Sequence, residues 1–255
     1  MALLELDDCT LSFGGLTAVQ GVALALDAGE LVGLIGPNGA GKTTVFNLIT
    51  GVYAPDHGTI RLDGRSIAGL APYRITRRGI ARTFQGIRLF PTMTAFENVL
   101  TARGPRAGRL LPTVLGTAGA QTQRAQIDAE CLGLLEMLDL QAQRDTPARA
   151  LPYGSQRRLE IARALATGPR LLLLDEPAAG TNPHEKLELM ARIRWLRDTL
   201  GLGILLIEHD MKMVMEICDR LTVLDHGEVI ATGSPAAICR DRTVIEAYLG
   251  EEPAR

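Results

Sequence analysis

The sequence predicts an α/β fold with a mainly parallel, helix-covered sheet, on three observations. Leu31–Ile35, Leu171–Leu174 and Gly203–Ile207 are unbroken apolar runs of strand length, the pattern of strands covered on both faces. Helical periodicity falls between and after the last two, at about 184–200 and 210–218, so strands and helices alternate. The first run passes straight into a glycine-rich turn at residues 36–41 that opens a further helical stretch.

Taken in order, residues 3–35 hold short apolar runs divided by turn residues. Val22-Ala23-Leu24-Ala25-Leu26 ends at Asp27-Ala28-Gly29, which predicts several strands and an antiparallel edge region. Thr43–Thr50 is helical by period and stops at Gly51; Gly58–Leu62 is a strand closed by Asp63-Gly64. Arg74–Ile80 is expected as a basic helix and Ala81–Phe84 as a strand. Thr94-Ala95-Phe96-Glu97 is a capping-box pattern opening a helix, and 121–140 keeps a helical period through Ile127, Cys131, Leu134, Leu135 and Leu138. Between them Gly104–Ala120 is rich in Gly, Pro and Arg and is expected as loop with at most a short helix. A helix follows from Ser155 to about Ala166, and short strands return at 221–232. The expected organisation is one domain over 1–255. Its core lies at about 1–88 and 159–255, and a helical sub-domain is inserted at about 89–158.

Lys and Arg number 27 against 29 Asp and Glu, a net charge of −2, so no strong field attracts a polyanion and nucleic acid is disfavoured as partner. Cys9, Cys131, Cys218 and Cys239 stand far apart without metal-ligand spacing and are expected as reduced core residues. The first residues lack the basic start and apolar stretch of a signal peptide, and no run approaches 18 apolar residues. A cytosolic location is expected, unless a partner holds the chain at a membrane.

Gly36-Pro37-Asn38-Gly39-Ala40-Gly41-Lys42-Thr43-Thr44 is a phosphate-binding loop (P-loop) after a strand. Its glycines let backbone N–H groups close around a triphosphate, Lys42 meets the outer phosphates, and the Thr43 hydroxyl can hold Mg²⁺. The helix dipole adds positive potential there. Asp175 ends the four-leucine run and Glu176-Pro177 follows, placing two carboxylates at a strand's C-terminal edge, where α/β folds bind ligands. Asp175 suits a Mg²⁺ shell and Glu176 the attacking water.

With further elements in the same order, nearly the whole chain resembles the ATP-binding cassette (ABC) ATPases, whose core is a P-loop NTPase (RecA-like) fold. The resemblance implies ATP and Mg²⁺ as cofactors. It makes Phe13 the aromatic that stacks on adenine. Gln85, after Ala-Arg-Thr-Phe, becomes the Q-loop glutamine reaching Mg²⁺ and the attacking water. Leu151-Pro152-Tyr153-Gly154-Ser155-Gln156 is similar to the signature motif, which grips the γ-phosphate held by a facing subunit. His209, after Gly203–Glu208, matches the switch histidine beside the catalytic carboxylate Glu176. Ala179-Gly180-Thr181-Asn182 takes the place of the D-loop, with Asn182 where the family usually has aspartate. The usual signature is Leu-Ser-Gly-Gly-Gln; Pro152 offers neither hydroxyl nor N–H, so weaker closure is expected.

Tyr153-Gly154-Ser155-Gln156-Arg157-Arg158-Leu159-Glu160-Ile161-Ala162 is similar to the cassettes of branched-chain amino acid importers. So are Phe13-Gly14-Gly15-Leu16, Ala81–Gln85, Glu176–Gly180 and Val244–Gly250. That resemblance implies a second cassette (a paralogue or the same chain), two membrane-spanning permease subunits and an external solute-binding protein. The location implied is the cytoplasmic face of the plasma (inner) membrane. Ile87, Leu89, Phe90, Pro91, Met93 and Phe96 are then candidates for permease contact, and Arg103, Arg106 and Arg109 for lipid headgroups or a permease loop. Open alternatives are the cassette of another transporter, such as a lipopolysaccharide exporter, a soluble non-transport ABC ATPase, and a P-loop kinase. The transported solute is not legible.

Overall fold

The computed structural model describes residues 2–103 and 118–249, and the chain divides into two compact units. The first is made of residues up to Arg82, Pro169–Ala178 and Met190 onward; the second of Thr83–Gly168 and Ala179–Leu189.

The first unit carries two sheets. One is antiparallel, ordered β2 (Leu16–Leu26), β1 (Leu4–Phe13), β4 (His57–Leu62), β5 (Arg65–Ser66). Along β1 the apolar Leu4 and Leu6 are buried while Glu5 between them is exposed, the alternation of a sheet with one covered face. The other sheet is ordered β10 (Glu228–Gly233), β9 (Arg220–Asp225), β3 (Leu31–Ile35), β8 (Gly203–Ile207), β7 (Leu171–Asp175), β6 (Ile80–Arg82). Its pairings are parallel apart from the β9–β10 hairpin. Every residue of β3, β7 and β8 is buried, which is why these strands read as unbroken apolar runs.

Helices α1 (Lys42–Ile49), α2 (Pro72–Arg77), α7 (Met211–Ile217), α8 (Pro235–Ile238) and α9 (Arg242–Leu249) belong to this unit, as does the later part of α6 (Pro183–Leu200). Phe46 of α1, Leu4 and Ile60 of the antiparallel sheet, and Leu34 and Leu205 of the parallel sheet share one core cluster. Each such fully buried side chain contributes about 1.5–3 kcal/mol through removal from water.

Register sets the working edge of the parallel sheet. Leu34 pairs with Ile207, and Ile207 with Asp175, so β3, β8 and β7 end level. The segments beginning at Gly36, Glu176 and Glu208 therefore leave the same C-terminal edge.

In the second unit α3 (Ala95–Arg103) packs on α4 (Ala118–Met137) and α5 (Tyr153–Ala166), joined by 3-10 turns at Gln141–Gln143 and Ala148–Ala150. Val99, Cys131, Leu135, Leu138 and Leu159 are buried there. The capping box at Thr94 forms reciprocally: Glu97 N–H donates to Thr94 Oγ1 at 3.1 Å and Thr94 N–H to Glu97 Oε2 at 2.8 Å.

Several expectations need correction. The basic helix ends at Arg77 rather than Ile80, because Ile80 and Ala81 pair with Leu171 and Leu172 in the sheet; that strand closes at Arg82, short of Phe84. Cys9, Cys131 and Cys218 are buried, but Cys239 is exposed, with its Sγ 3.8 Å from Met215 Sδ. Of the expected loop at 104–120, residues 118–120 open α4 and the remainder lies outside the described residues, as do Arg106 and Arg109. Arg103 is engaged within its own unit, pairing with Glu130 and donating to Ala166 O at 3.3 Å.

Candidate functional site

The P-loop leaves β3 at Ile35 and enters α1 at Lys42. Gly36 passes so close to β9 that an added Cβ would lie 1.9 Å from Leu224 O, so only glycine fits. Ala40 is buried beneath the loop. Lys42 Nζ donates to the carbonyls of Gly36 and Pro37, each at 2.7 Å, which aims the ammonium along the inside of the loop. Burial lowers the Lys42 pKa, and the Glu176 carboxylate opposes that shift. Thr43 stands exposed in the first turn of α1.

At the ends of β7 and β8 the other predicted groups of this unit meet. Glu176 N–H donates to Ile207 O at 2.9 Å, holding the residue at φ 48°, a left-handed conformation rare for glutamate. His209 Nδ1 lies 3.8 Å from Glu176 Oε2; the histidine is mostly exposed and the glutamate mostly covered. Asp175 is buried and pairs with Arg82, whose Nη2 is 2.8 Å from Asp175 Oδ2 and whose Nη1 donates to Asn47 Oδ1 at 2.7 Å. Phe13 is 45 % exposed at the tip of β1, and its ring meets Tyr53 edge-on with centroids 5.0 Å apart.

Gln85, the signature and the D-loop all belong to the second unit. Gln85 is exposed, Leu151, Gly154 and Ser155 are buried, and Pro152 and Tyr153 are exposed at the start of α5. Gln156 Nε2 donates to Leu151 O at 2.9 Å, closing the motif on itself. Asn182 caps α6: its Oδ1 accepts from Glu185 N–H at 3.0 Å while its N–H donates to Glu185 Oε2 at 3.0 Å, bonds that an aspartate would make equally. Phe90, Pro91 and Met93 are exposed and Ile87, Leu89 and Phe96 half-buried. Buried Asn98 pins this segment, donating to the carbonyls of Phe90, Met93 and Thr94 and accepting from Phe90 N–H.

Three residues escaped the motif reading. Arg82 lies in an otherwise apolar strand, a signal that a buried partner awaits it. Glu208, like Asp175, is a carboxylate at the end of a buried strand; it accepts from Ala178 N–H at 2.9 Å and His209 N–H at 3.2 Å, and burial raises its pKa. Tyr53 carries no local signal, since only the fold brings it to Phe13. Among the described residues no cluster of three or more His, Cys, Asp or Glu could hold a metal ion. The first unit's oxygen donors, the Thr43 hydroxyl and the Asp175 carboxylate, are hard ligands that fit Mg²⁺, which keeps several waters and takes phosphate oxygens for the rest.

Comparison with known proteins gives the family. The ABC transporter family model matches residues 19–179, and a second, described as branched-chain amino acid ATP-binding cassette transporter, matches 228–254. The high-affinity branched-chain amino acid transport ATP-binding protein LivG of Escherichia coli is 48 % identical over 256 residues, 98 % of each chain. The lipopolysaccharide export system ATP-binding protein LptB of Haemophilus influenzae is 35 % identical over 252 residues, 99 % of each chain. A crystal structure of the ADP conformation of an ATP-binding cassette of an ABC transporter superposes with a TM-score of 0.85 at 30 % identity, covering 98 % of this chain and all of that one. Level strand ends, a P-loop lysine, and a Glu176–His209 pair at the same edge are thus found on a chain that is related along its whole length to these cassettes, and the chain belongs to the ABC transporter family as an ATP-binding ATPase cassette.

Proposed function

We propose that this chain is the ATP-hydrolysing subunit of an importer for branched-chain or related amino acids, working as one cassette over its 255 residues. The observation that carries the hydrolytic role is the meeting of Glu176, His209 and Lys42 at the level ends of β3, β7 and β8. Lys42 and the P-loop amides bind the outer phosphates of ATP, and Phe13 with Tyr53 offers an aromatic platform to the base. The Glu176 carboxylate accepts a proton from the attacking water, and His209 steadies that carboxylate and the γ-phosphate. Thr43 and Asp175 would hold Mg²⁺, which when bound would neutralise phosphate charge, and the resemblance gives Gln85 a role toward that ion and the attacking water. The signature residues Leu151–Gln156 and the D-loop Gly180–Asn182 act on the ATP of a facing cassette. ATP-driven closure of two cassettes then powers transport.

The amino acid reading is supported by the identity to LivG and by the C-terminal match; the lower identity to LptB makes lipopolysaccharide export the second reading. The implied partners are a second cassette, two permeases and an external solute-binding protein. The exposed segment around Phe90, Pro91 and Met93 serves as the permease-facing surface, and the chain works at the inner face of the membrane.

Glu176→Gln tests the assignment. Removing the base lowers steady-state hydrolysis by about 100-fold or more, within the range general-base catalysis supplies. Affinity for ATP stays near that of the wild type, and an ATP-bound dimer accumulates in size-exclusion chromatography. Wild-type turnover in this variant would remove Glu176 from the chemistry.

A further inference from the structure

The tyrosine in the signature has a place in the second unit that motif comparison leaves unexplained. Arg157, one turn into α5, is 5 % exposed, and a buried guanidinium must place all five of its N–H groups. It does so completely. Nη1 donates to Phe84 O at 3.0 Å and to Glu160 Oε2 at 3.3 Å; Nη2 donates to Gln85 O at 2.6 Å and to the Tyr153 hydroxyl at 2.8 Å; Nε donates to the same hydroxyl at 3.1 Å. Tyr153 thus takes two of the five, fixing the plane of the guanidinium, while two more hold the successive backbone carbonyls of Phe84 and Gln85. Glu160 completes the frame by accepting from Arg88 N–H at 2.7 Å, so the segment is tied at both ends of residues 84–88.

The same ring reaches the D-loop segment. Gly180 sits at φ 76°, and a Cβ built there would lie 3.1 Å from Tyr153 Cε1 and 3.3 Å from its hydroxyl oxygen. One side chain therefore bonds Arg157 directly, reaches 84–85 through that single intermediary, and leaves little room for a side chain at residue 180, all inside one unit.

We infer that Tyr153 is a positioning residue for hydrolysis: a strut that orients Gln85 through Arg157. A glycine at this position, as in the usual signature, has no hydroxyl to offer and would leave the Arg157 fork half-anchored. The inference rests on the reading of Gln85 as a group acting at Mg²⁺ and the attacking water. It assigns the tyrosine no contact with nucleotide.

Steady-state ATPase assays on the full chain test it, with Tyr153→Phe placed in the wild-type and Gln85→Ala backgrounds. Losing the hydroxyl leaves two donors of a buried cation without their acceptor, so kcat falls about tenfold while KM for ATP changes less than about twofold, because the P-loop is untouched. In the Gln85→Ala background the same substitution changes kcat by less than about twofold, since a strut acting through Gln85 has nothing left to orient. A merely structural role predicts equal fold losses in both backgrounds, together with a lowered Tm; either that result or wild-type kcat in Tyr153→Phe overturns the inference. Lys42→Ala is run alongside: a wild-type rate unaffected by this substitution would overturn the ATPase reading itself, and the strut with it. A Lys42-dependent rate that is indifferent to Tyr153→Phe would overturn the strut alone.

Discussion

Glu208 is buried at the edge where β8 ends, one residue before His209, and accepts backbone N–H groups from Ala178 and His209. Those donors favour its ionised form, but desolvation is the larger effect and holds its pKa above the ordinary carboxylate range. The folded protein therefore binds this proton more readily than the unfolded chain. The associated stability is fully present below the unfolded pKa of about 4.3 and is lost as pH rises through the folded value. Glu208→Gln is neutral at every pH and keeps an acceptor oxygen. The wild type is expected to lose stability relative to this variant as pH is raised from about 4 toward neutral, in urea titrations at each pH. Parallel curves would show that the carboxyl is not titrating out of a raised state. At this scale Lys42, Glu176 and His209 were legible because each stands beside a motif. Glu208 was not, since its importance comes from N–H groups that only the folded loop directs at it.

α3 begins at a cap that the sequence spelled out, Thr94 with Glu97 three residues on, and the structure forms both bonds of the box. Thr94→Ala is expected to cost about 1 kcal/mol. For a chain of this size that lowers Tm by about 2–4 °C, read by thermal melting, and an unchanged Tm would mean the cap is redundant with the packing of α3. The second box, Asn182 with Glu185, lies within the D-loop stretch and caps α6, a role that aspartate would fill equally. Elements also went astray where two signals overlapped. The basic stretch Arg74–Arg78 favoured continuing a helix, but pairing of Ile80 with Leu171 takes that residue into the sheet. Helical period is a local preference, and it yields where a β-ladder and a buried position are available a few residues on.

For the whole molecule, no helix among the described residues is long and apolar enough to cross a membrane. Tagged protein purified from native membranes in mild detergent is expected to retain polytopic permeases and a second cassette, identified by mass spectrometry. A chain recovered alone, under conditions that keep known transporters intact, would turn the proposal toward a soluble ATPase. The sequence by itself determined the phosphate-binding loop, the buried parallel strands and the carboxylates at their ends, because these depend on contiguous residues, a fixed period and the turn chemistry of glycine. The tertiary structure alone decided that Arg82 meets Asp175, 93 residues away, and that Arg157 holds the carbonyl of Gln85, 72 residues away. Such pairs follow from strand order and helix packing. A buried charge must find its partner wherever the fold brings one, and nothing in the neighbouring residues specifies where that is.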